Sequence, residues 1–441
     1  MNLNRLLPLA AACALLPTLG LAQEAAVAAE AEAAAPVDNA FIFNTLLFLI
    51  GGFLVFWMAA GFAMLEAGLV RSKNVTMQLT KNIALFSIAA IMYWLVGYNL
   101  MYPGDGWSVA GWVGAFGLAS IGGDPAVEQG FATGSDFFFQ LMFCATTASI
   151  VSGTLAERIK LWPFLIFVVV LTGFIYPIEA SWQWGGGWLS EMGFSDFAGS
   201  TLVHATGGFA ALAGAVILGP RLGKFGKDGK VNPIPGSNLA LATLGTFILW
   251  LGWFGFNGGS QLALGTEADA NAVAIIFANT NMAAAAGALT ALILSQIMFK
   301  KPDLTMTLNG ALAGLVSITA GPLDPSLFGA LWIGAIGGII VVVTIPMLDK
   351  LKIDDVVGAI PVHLLAGFWG TLAVPFYTDG TSFVKQIIGF GAIGAFVTIT
   401  SAVVWLILKA TMGIRVDEEA EIAGLDVTEL GMEAYPEFSK G

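Results

Sequence analysis

The chain contains few charged residues. Of its 441 residues, 11% are charged, whereas an average soluble domain has about 25%, and 57% are hydrophobic. This composition excludes a soluble globular domain and is typical of a protein that lies in a lipid bilayer. The formal net charge of −12 says little about function, because much of it lies in acidic outer loops and in the tail after Arg415. No nucleic-acid partner is expected.

Side chains that form catalytic and metal sites are also scarce. The sequence has two histidines and two cysteines, Cys13 and Cys144. Cys13 lies in a segment that we expect to be removed, so the mature chain can form no intrachain disulfide. Two histidines are too few for a tetrahedral zinc site, and no nearby thiolate cluster or carboxylate pair supplies the missing ligands. No metal, cofactor or enzymatic activity is expected.

Residues 1–22 have the pattern of a secretory signal peptide. Arg5 is followed by an apolar stretch over residues 6–19 and by a small-residue cleavage site ending at Ala22. The alternative is an uncleaved first span, but the stretch is short for one and contains two prolines. Residues 23–40 are rich in Ala and Glu and are expected to form a short disordered periplasmic segment.

Eleven apolar stretches are long enough to cross a bilayer, which takes about 20 residues. They lie near residues 43–69, 77–101, 136–156, 161–180, 197–219, 237–258, 271–298, 304–321, 326–348, 357–376 and 386–410. We therefore expect an all-α polytopic membrane protein of eleven transmembrane helices. Its membrane domain spans residues 41–411, and a cytoplasmic tail spans residues 412–441.

Basic residues fall in or beside every second connection, and Lys385 is the exception. Those on the basic side are Arg71, Lys73, Lys81, Arg158, Lys160, Arg221, Lys224, Lys227, Lys230, Lys300, Lys301, Lys350, Lys352, Lys409 and Arg415. Because Lys and Arg collect on the cytoplasmic side of a membrane, the N-terminus is predicted outside and the C-terminus inside. The expected location is a bacterial inner membrane.

A short pattern occurs twice, in the fifth and tenth spans. Each histidine has an Asp eight residues before it and a Gly-Phe pair after it. The copies are Asp196, His204, Gly208 and Phe209, and Asp355, His363, Gly367 and Phe368. The two spans run in opposite directions, so the pattern predicts two inverted five-helix halves plus one extra helix.

The two histidines are the strongest functional signal. Eight helical residues place each about 12 Å deep, from opposite faces of a core about 30 Å thick, so they should meet near the midplane. Ionisable residues at this depth usually line a pathway for ions or protons. The alternative is two unrelated histidines, each satisfied by neighbouring helices.

Residues 196–204, with the sequence DFAGSTLVH, resemble the signature of the Amt/Mep/Rh ammonium transporter family. Other segments resemble it in order and spacing: residues 140–160, the Trp184-Gly185-Gly186-Gly187 motif, residues 252–260 (GWFGFNGGS), Asp354-Asp355 before His363, and residues 413–435. The resemblance extends from about residue 44 to residue 435. It implies a homotrimer with one pore per subunit that conducts ammonium inward.

The resemblance also implies an outer recruitment site for ammonium at Phe143, Trp184 and Ser260. The chemistry is suitable, because aromatic faces stabilise a cation by about 0.5–2 kcal/mol and a serine hydroxyl accepts an N–H hydrogen bond. Taken singly, each aromatic residue is more simply explained by packing or by an interfacial belt. Phe143 and Phe256 match a gate of two stacked phenyl rings below this site.

Below the gate, His204 and His363 match a hydrogen-bonded pair that lines the pore. A cation at the bilayer centre costs at least about 2.5–3.5 kcal/mol, so deprotonation to neutral ammonia would ease passage. The resemblance favours electrogenic transport, in which the proton crosses separately. The sequence itself leaves open a neutral gas channel.

Asp196 matches a buried carboxylate that shapes the recruitment site, but it could equally cap the fifth helix, and Asp355 has the same ambiguity at the tenth. Two positions depart from the family pattern. Leu364 stands where the family often has Gly, and Ala205-Thr206 stands where Ile-Asn is frequent. These departures bear on selectivity and rate.

The acidic composition of the tail favours disorder. Residues 418–435 nevertheless resemble the cytoplasmic segment that packs under the trimer and couples to PII-type signal proteins. Two alternative functions are considered for the whole chain. One is an ammonium sensor with a transporter-like core, which a fused signalling domain would favour. The other is a channel for another small neutral gas such as carbon dioxide, which loss of Trp184 and Ser260 would favour.

Overall fold

The computed structural model describes residues 39–122 and 130–438, and the regular secondary structure of these residues is helical. The predicted signal peptide over residues 1–22 lies outside the described residues, as does the predicted periplasmic segment up to residue 38. The first helix begins at Asn39, two residues before the predicted start of the membrane domain. The all-α class is confirmed.

Eleven helices lie at the predicted positions. They are α1 (Asn39–Leu69), α2 (Ser72–Met101), α3 (Thr133–Thr154), α4 (Leu161–Ser181), α5 (Ser200–Leu218), α6 (Leu239–Gly259), α7 (Glu267–Phe299), α8 (Leu304–Ile318), α9 (Leu327–Lys350), α10 (Ile360–Phe376) and α11 (Phe383–Thr411). Nine of these helices are long and apolar enough to cross a membrane, whereas α8 and α10 are shorter than the spans predicted from the sequence.

Polar residues at the N-termini fix where several helices begin. A side-chain oxygen there accepts a hydrogen bond from a backbone N–H that the helix leaves unpaired. Such caps precede α6, α7, α8, α9 and α11, at Asn238, Thr266, Asp303, Ser326 and Ser382. The cap of α7 is a capping box, in which Thr266 and Asp269 bond each other's backbone N–H.

The two copies of the sequence repeat have the same local structure. The Asp196 carboxylate accepts four hydrogen bonds of 2.8–3.0 Å from the backbone N–H groups of residues 199–202. The Asp355 carboxylate accepts from the N–H groups of Gly358 and Ile360, at 3.2 and 2.7 Å. In each copy the histidine then lies in a π-helical turn that opens the helix.

The glycine four residues after each histidine lets α5 and α10 cross closely. A Cβ atom at Gly208 would lie 2.7 Å from the Cβ of Leu364, and one at Gly367 would lie 2.5 Å from the carbonyl oxygen of Ser200. Both distances are shorter than real Cβ contacts. The absence of a side chain at these positions therefore brings the two histidine-bearing helices together.

The tail folds back on the loops at the end of the bundle where α1 ends and α2 begins. We call this the inner end, because the basic residues predict that it is cytoplasmic. A short helix, Glu418–Ala423, is capped by Asp417. The Asp426 carboxylate accepts from the backbone N–H groups of Thr76 and Met77, at 3.0 and 2.8 Å, near the start of α2. The tail, described through residue 438, thus contacts the start of α2.

Candidate functional site

A cavity of about 260 Å³ opens at the end of the bundle where α1 begins and α2 ends. Its walls are mainly aromatic, with a few polar side chains, and consist of Phe48, Tyr98, Tyr102, Phe131, Asp136, Gln140, Phe143, Trp184, Phe197, Ser260 and Leu262. Asp136 is the acidic group of this wall, and it accepts hydrogen bonds from Tyr98 Oη at 2.6 Å and Gln140 Nε2 at 3.2 Å. We call this space the outer cavity.

The three predicted recruitment residues, Phe143, Trp184 and Ser260, all line the outer cavity. The Trp184 indole N–H donates to the carbonyl oxygen of Asp196 at 2.9 Å, which fixes the plane of the ring. The Ser260 hydroxyl donates to the carbonyl oxygen of Phe256 at 2.8 Å. The lone pairs of Ser260 Oγ are therefore left to accept a hydrogen bond from a molecule in the cavity.

The phenyl ring of Phe143, in the wall of the outer cavity, contacts that of Phe256. The centroids of Phe143 and Phe256 are 4.2 Å apart, with an angle of 44° between the rings, and both residues are buried. The edge of Phe143 also meets Trp184, at a centroid distance of 5.8 Å. The structure thus brings the predicted gate into contact with the predicted recruitment site.

The two histidines lie directly behind the gate. The Nδ1 atoms of His204 and His363 are 3.2 Å apart, and both side chains are buried. The His204 ring packs against both Phe256 and Trp253, at centroid distances of 5.2 and 4.9 Å, and those two rings are 5.7 Å from each other. The two histidines are therefore a contacting pair, and the alternative of two unrelated side chains is wrong.

The Nδ1 contact determines what the pair presents to a permeating molecule. When both rings are neutral, one ring must carry hydrogen on Nδ1 and the other must leave Nδ1 bare. One Nε2 atom is then an acceptor and the other a donor. The Nε2 atom of His204 is buried and has no hydrogen-bonding partner among the described residues. It is available to a small polar molecule in the pore.

Two further cavities continue the line beyond the histidines. A pocket of about 20 Å³ is lined by His363 together with residues of α1, α3 and α8, among them Glu66. A larger inner cavity of about 180 Å³ shares Asn309 and Val357 with that pocket. The outer cavity, the gate, the histidine pair and the inner cavities therefore lie in series.

The two predicted aspartates differ in their relation to these cavities. The Asp196 carboxylate is buried and accepts hydrogen bonds from four backbone N–H groups, so it caps α5. The backbone carbonyl of Asp196 accepts the hydrogen bond from Trp184, which lines the outer cavity. Asp355 caps α10 and also lines the inner cavity. Helix capping and an effect on the site are thus compatible for both residues.

Sequence reasoning missed several buried polar groups. Neither Asp136, at the predicted start of the third span, nor Glu66, inside the first, was singled out. Lys81 was assigned to the basic inner side, but it is fully buried within α2. Among the departures from the family pattern, Leu364 packs against the backbone of Gly208.

The family model described as the Ammonium Transporter Family matches residues 46–435. A similar curated protein is ammonium transporter Amt2 of Archaeoglobus fulgidus, which is 44% identical over 420 residues, covering 88% of this chain and 87% of that protein. The ammonium transporter of Bacillus subtilis is 36% identical over 413 residues, covering 89% of this chain and 98% of that protein.

Solved structures give the same result for the fold. A protein described as "Sensor Amt Protein" superimposes with a TM-score of 0.83 at 35% identity, covering 89% of this chain and 99% of that one. Mep2 of Candida albicans superimposes with a TM-score of 0.77 at 27% identity and covers 90% of each chain.

Proposed function

Since this chain belongs to the ammonium transporter family, we propose that it recruits ammonium ion in the outer cavity, deprotonates it, and conducts ammonia past His204 and His363 into the cytoplasm. The released proton crosses separately. The observation that carries the proposal is the buried contact between His204 and His363 directly below the aromatic gate. This contact places one donor and one acceptor in an otherwise apolar constriction.

Physical chemistry favours deprotonation at the gate. An ammonium ion would have to pass Phe143 and Phe256 without its water, and a cation in the bilayer core costs at least about 2.5–3.5 kcal/mol. Ammonia carries no charge and can exchange hydrogen bonds with the histidine pair. Potassium has no proton to lose, so this mechanism would exclude it.

The outer cavity suits recruitment of a small cation. Aromatic faces of Phe143 and Trp184 attract positive charge, the Asp136 carboxylate lies in the same wall, and Ser260 offers an acceptor. Replacement of Ser260 by alanine removes that acceptor, and a lost hydrogen bond of about 0.5–1.5 kcal/mol corresponds to roughly a 2- to 13-fold change in affinity. The half-saturating ammonium concentration should rise by about that factor, as measured from initial currents.

Ser87→Ala is the matched control for this measurement. The Ser87 hydroxyl also donates to the carbonyl four residues earlier, at 2.9 Å, but it does not line the outer cavity. This variant should keep the wild-type half-saturation. Equal values for wild type, Ser260→Ala and Ser87→Ala would show that Ser260 does not bind the ion.

The proposed function is tested by a jump in ammonium at constant pH with the protein in proteoliposomes. A transient inward current would support charge-coupled transport. Internal alkalinisation without current, faster than in protein-free vesicles, would instead identify a neutral gas channel. Absence of both would favour an ammonium sensor, the second candidate, since one of the similar solved structures carries that description.

We further propose that the protein is a homotrimer of a bacterial inner membrane, made with a cleaved signal peptide and regulated by a PII-type signal protein through its tail. The docked tail supports the last point. Lys73 donates to the carbonyl oxygens of Glu421 and Ile422, at 2.9 and 2.5 Å, and Leu425 donates to Asn74 at 3.0 Å. These contacts connect the tail to the first inner loop.

Asp426→Ala should loosen the tail, because this carboxylate bonds two N–H groups near the start of α2. Loss of a cap costs about 0.5–2 kcal/mol, which leaves the eleven-helix core folded. Transport activity or PII binding should change in this variant. Deletion of residues 418–441 should likewise change transport activity or PII binding. Glu437→Ala, at an exposed tail position, is the control. Unchanged activity and unchanged PII binding in both tail variants would contradict the regulatory proposal.

A further inference from the structure

A buried carboxyl group lies beside the pore on the inner side of the histidine pair. Glu66, near the C-terminal end of α1, is 1% exposed. Its Oε2 atom accepts three hydrogen bonds, from Gln78 Nε2 at 2.5 Å, Ser152 Oγ at 2.8 Å and Asn82 Nδ2 at 3.1 Å. Residues of α2 and α3 thus hold one oxygen of the carboxyl group in place.

The second oxygen is left free. Glu66 Oε1 is buried and has no hydrogen-bonding partner in the part of the chain that the structure describes. An unsatisfied carboxylate oxygen in an apolar interior is costly, so buried groups of this kind normally find a partner or serve a purpose. The pocket beyond His363 supplies the place for such a partner, because Glu66 and His363 both line it.

The size of this pocket matches one small molecule. Its volume of about 20 Å³ exceeds the roughly 10–15 Å³ needed to hold one water, and ammonia is of similar size. The polar groups in its wall besides Glu66 and His363 are Ser149 and Asn309. A molecule that has passed the histidines would therefore meet Glu66 before it reaches the inner cavity, whose wall also contains Asn309.

We propose that Glu66 is the proton-carrying group at the inner end of the pore. This inference rests on the proposed function, since it requires that the proton and ammonia cross separately. The proton that leaves ammonium at the outer side passes along the histidine pair and binds the Glu66 carboxylate. Ammonia arriving in the pocket then takes that proton, so carboxylic acid and ammonia become carboxylate and ammonium, and the ion leaves through the inner cavity.

The buried ammonium group of Lys81 compensates the negative charge of the Glu66 carboxylate. Lys81 is fully buried, its ammonium donates to the backbone carbonyl of Ser152 at 2.9 Å, and it lies over the Phe164 ring at 4.7 Å. Ser152 is the same residue whose hydroxyl bonds Glu66. The positive charge of Lys81 therefore stabilises the ionised form of Glu66 after each proton is released. Lys81 itself carries no proton in this scheme.

The test compares wild type, Glu66→Gln and Glu179→Gln in proteoliposomes that receive the same ammonium jump at constant external pH, with current and internal pH recorded together. Glutamine keeps an oxygen for the three donors but cannot carry a proton. The current of Glu66→Gln should fall by roughly 100-fold, the usual effect of removing a proton-transfer group. Ammonia should still pass without its proton, so internal alkalinisation should be faster in this variant than in protein-free vesicles.

Glu179→Gln is the matched control. Glu179 is a fully buried carboxyl group in α4, but it lines none of the three cavities described above. Its variant should keep the wild-type current and internal pH response. A loss of current in this variant equal to that in Glu66→Gln would overturn the specific role of Glu66.

Three further outcomes would overturn the inference. A wild-type current in Glu66→Gln would do so while leaving the proposed function intact. Loss of both current and ammonia passage in a folded Glu66→Gln variant would show that Glu66 only supports the pore. Absence of current in the wild type itself would remove the proposed function and this inference together. If Glu66→Gln fails to fold because Lys81 is left uncompensated, the double variant with Lys81→Met removes both charges and carries the same test.

Discussion

Replacement of His204 or His363 by alanine should reduce the ammonium-dependent current by about 100-fold. The reason is that each variant removes half of a contacting pair whose nitrogen atoms supply the polar groups of an apolar constriction. Without them, passage of charge faces the cost of a cation in the bilayer core, about 2.5–3.5 kcal/mol, and each 1.36 kcal/mol is a factor of ten in rate. The measurement is the transient current on an ammonium jump in proteoliposomes.

The two histidines should also behave as one unit. The double alanine variant should conduct little less current than either single variant, because either substitution already breaks the pair. Cys144→Ala is a suitable control, since this buried side chain faces the backbone of Thr172 and lines none of the cavities. Wild-type currents in both single histidine variants would show that charge crosses elsewhere.

Arg221→Met should lower the free energy of unfolding by about 3–5 kcal/mol. The substitution leaves the buried carboxylates of Asp354 and Glu157, at the inner end of the bundle, without their shared cationic partner. The Arg221 side chain is 3% exposed and donates to both oxygens of Asp354, from Nε at 2.8 Å and Nη2 at 2.9 Å. It also reaches Glu157 Oε2 at 3.3 Å. Thermal melting in detergent at neutral pH measures the loss.

Lys224→Met is the matched control for Arg221→Met. Lys224 forms an ion pair with Asp349 at 2.9 Å, but both side chains are partly exposed, so the loss should stay below about 1 kcal/mol. The double variant Arg221→Met/Asp354→Asn should recover part of the stability lost in the single variant, because it leaves one carboxylate fewer without a partner. Equal melting temperatures for Arg221→Met and Lys224→Met would contradict the prediction.

The same cluster sets a pH dependence. Burial opposes ionisation of Asp354, but the hydrogen bonds of Arg221 and the charges of Arg158 and Arg221 outweigh it, so the pKa of this carboxyl group lies well below its ordinary value. A group with a lowered pKa stabilises the folded state above its unfolded pKa, about 3.9, and the stabilisation is lost as the pH falls toward the folded pKa. The stability difference between wild type and Asp354→Asn should therefore be constant above about pH 4 and shrink below it.

The sequence predicted the fold and the meeting of the two histidines because both depend on local spacing. Apolar runs of bilayer length mark the helices, and an Asp eight residues before each histidine marks where α5 and α10 begin. These features need no knowledge of distant neighbours. The same eight-residue spacing sets the depth of His204 and His363, which is why their contact could be anticipated.

The buried charges could not be predicted because their environment comes from distant parts of the chain. Lys81 lies a few residues past an inner loop and looks like an exposed cation, yet Ser152 and Phe164 from α3 and α4 enclose it. Glu66 lies close to the loop at Arg71 and looks like an interfacial acid. Asp136, in the first turn of α3, lines the outer cavity together with Tyr98 from the end of α2, which donates a hydrogen bond to it.

The crossing of α5 and α10 at Gly208 and Gly367 has a consequence for the transport cycle. Many proteins with inverted repeats expose a central site alternately to the two sides by rocking one half against the other. Here α5 and α10 approach each other beside the histidines, with no room for even one methyl group at Gly208 or Gly367. Rocking would have to separate these surfaces in every turnover. The geometry instead favours a stationary scaffold, in which discrimination arises from proton chemistry at fixed positions and turnover is set by proton movement.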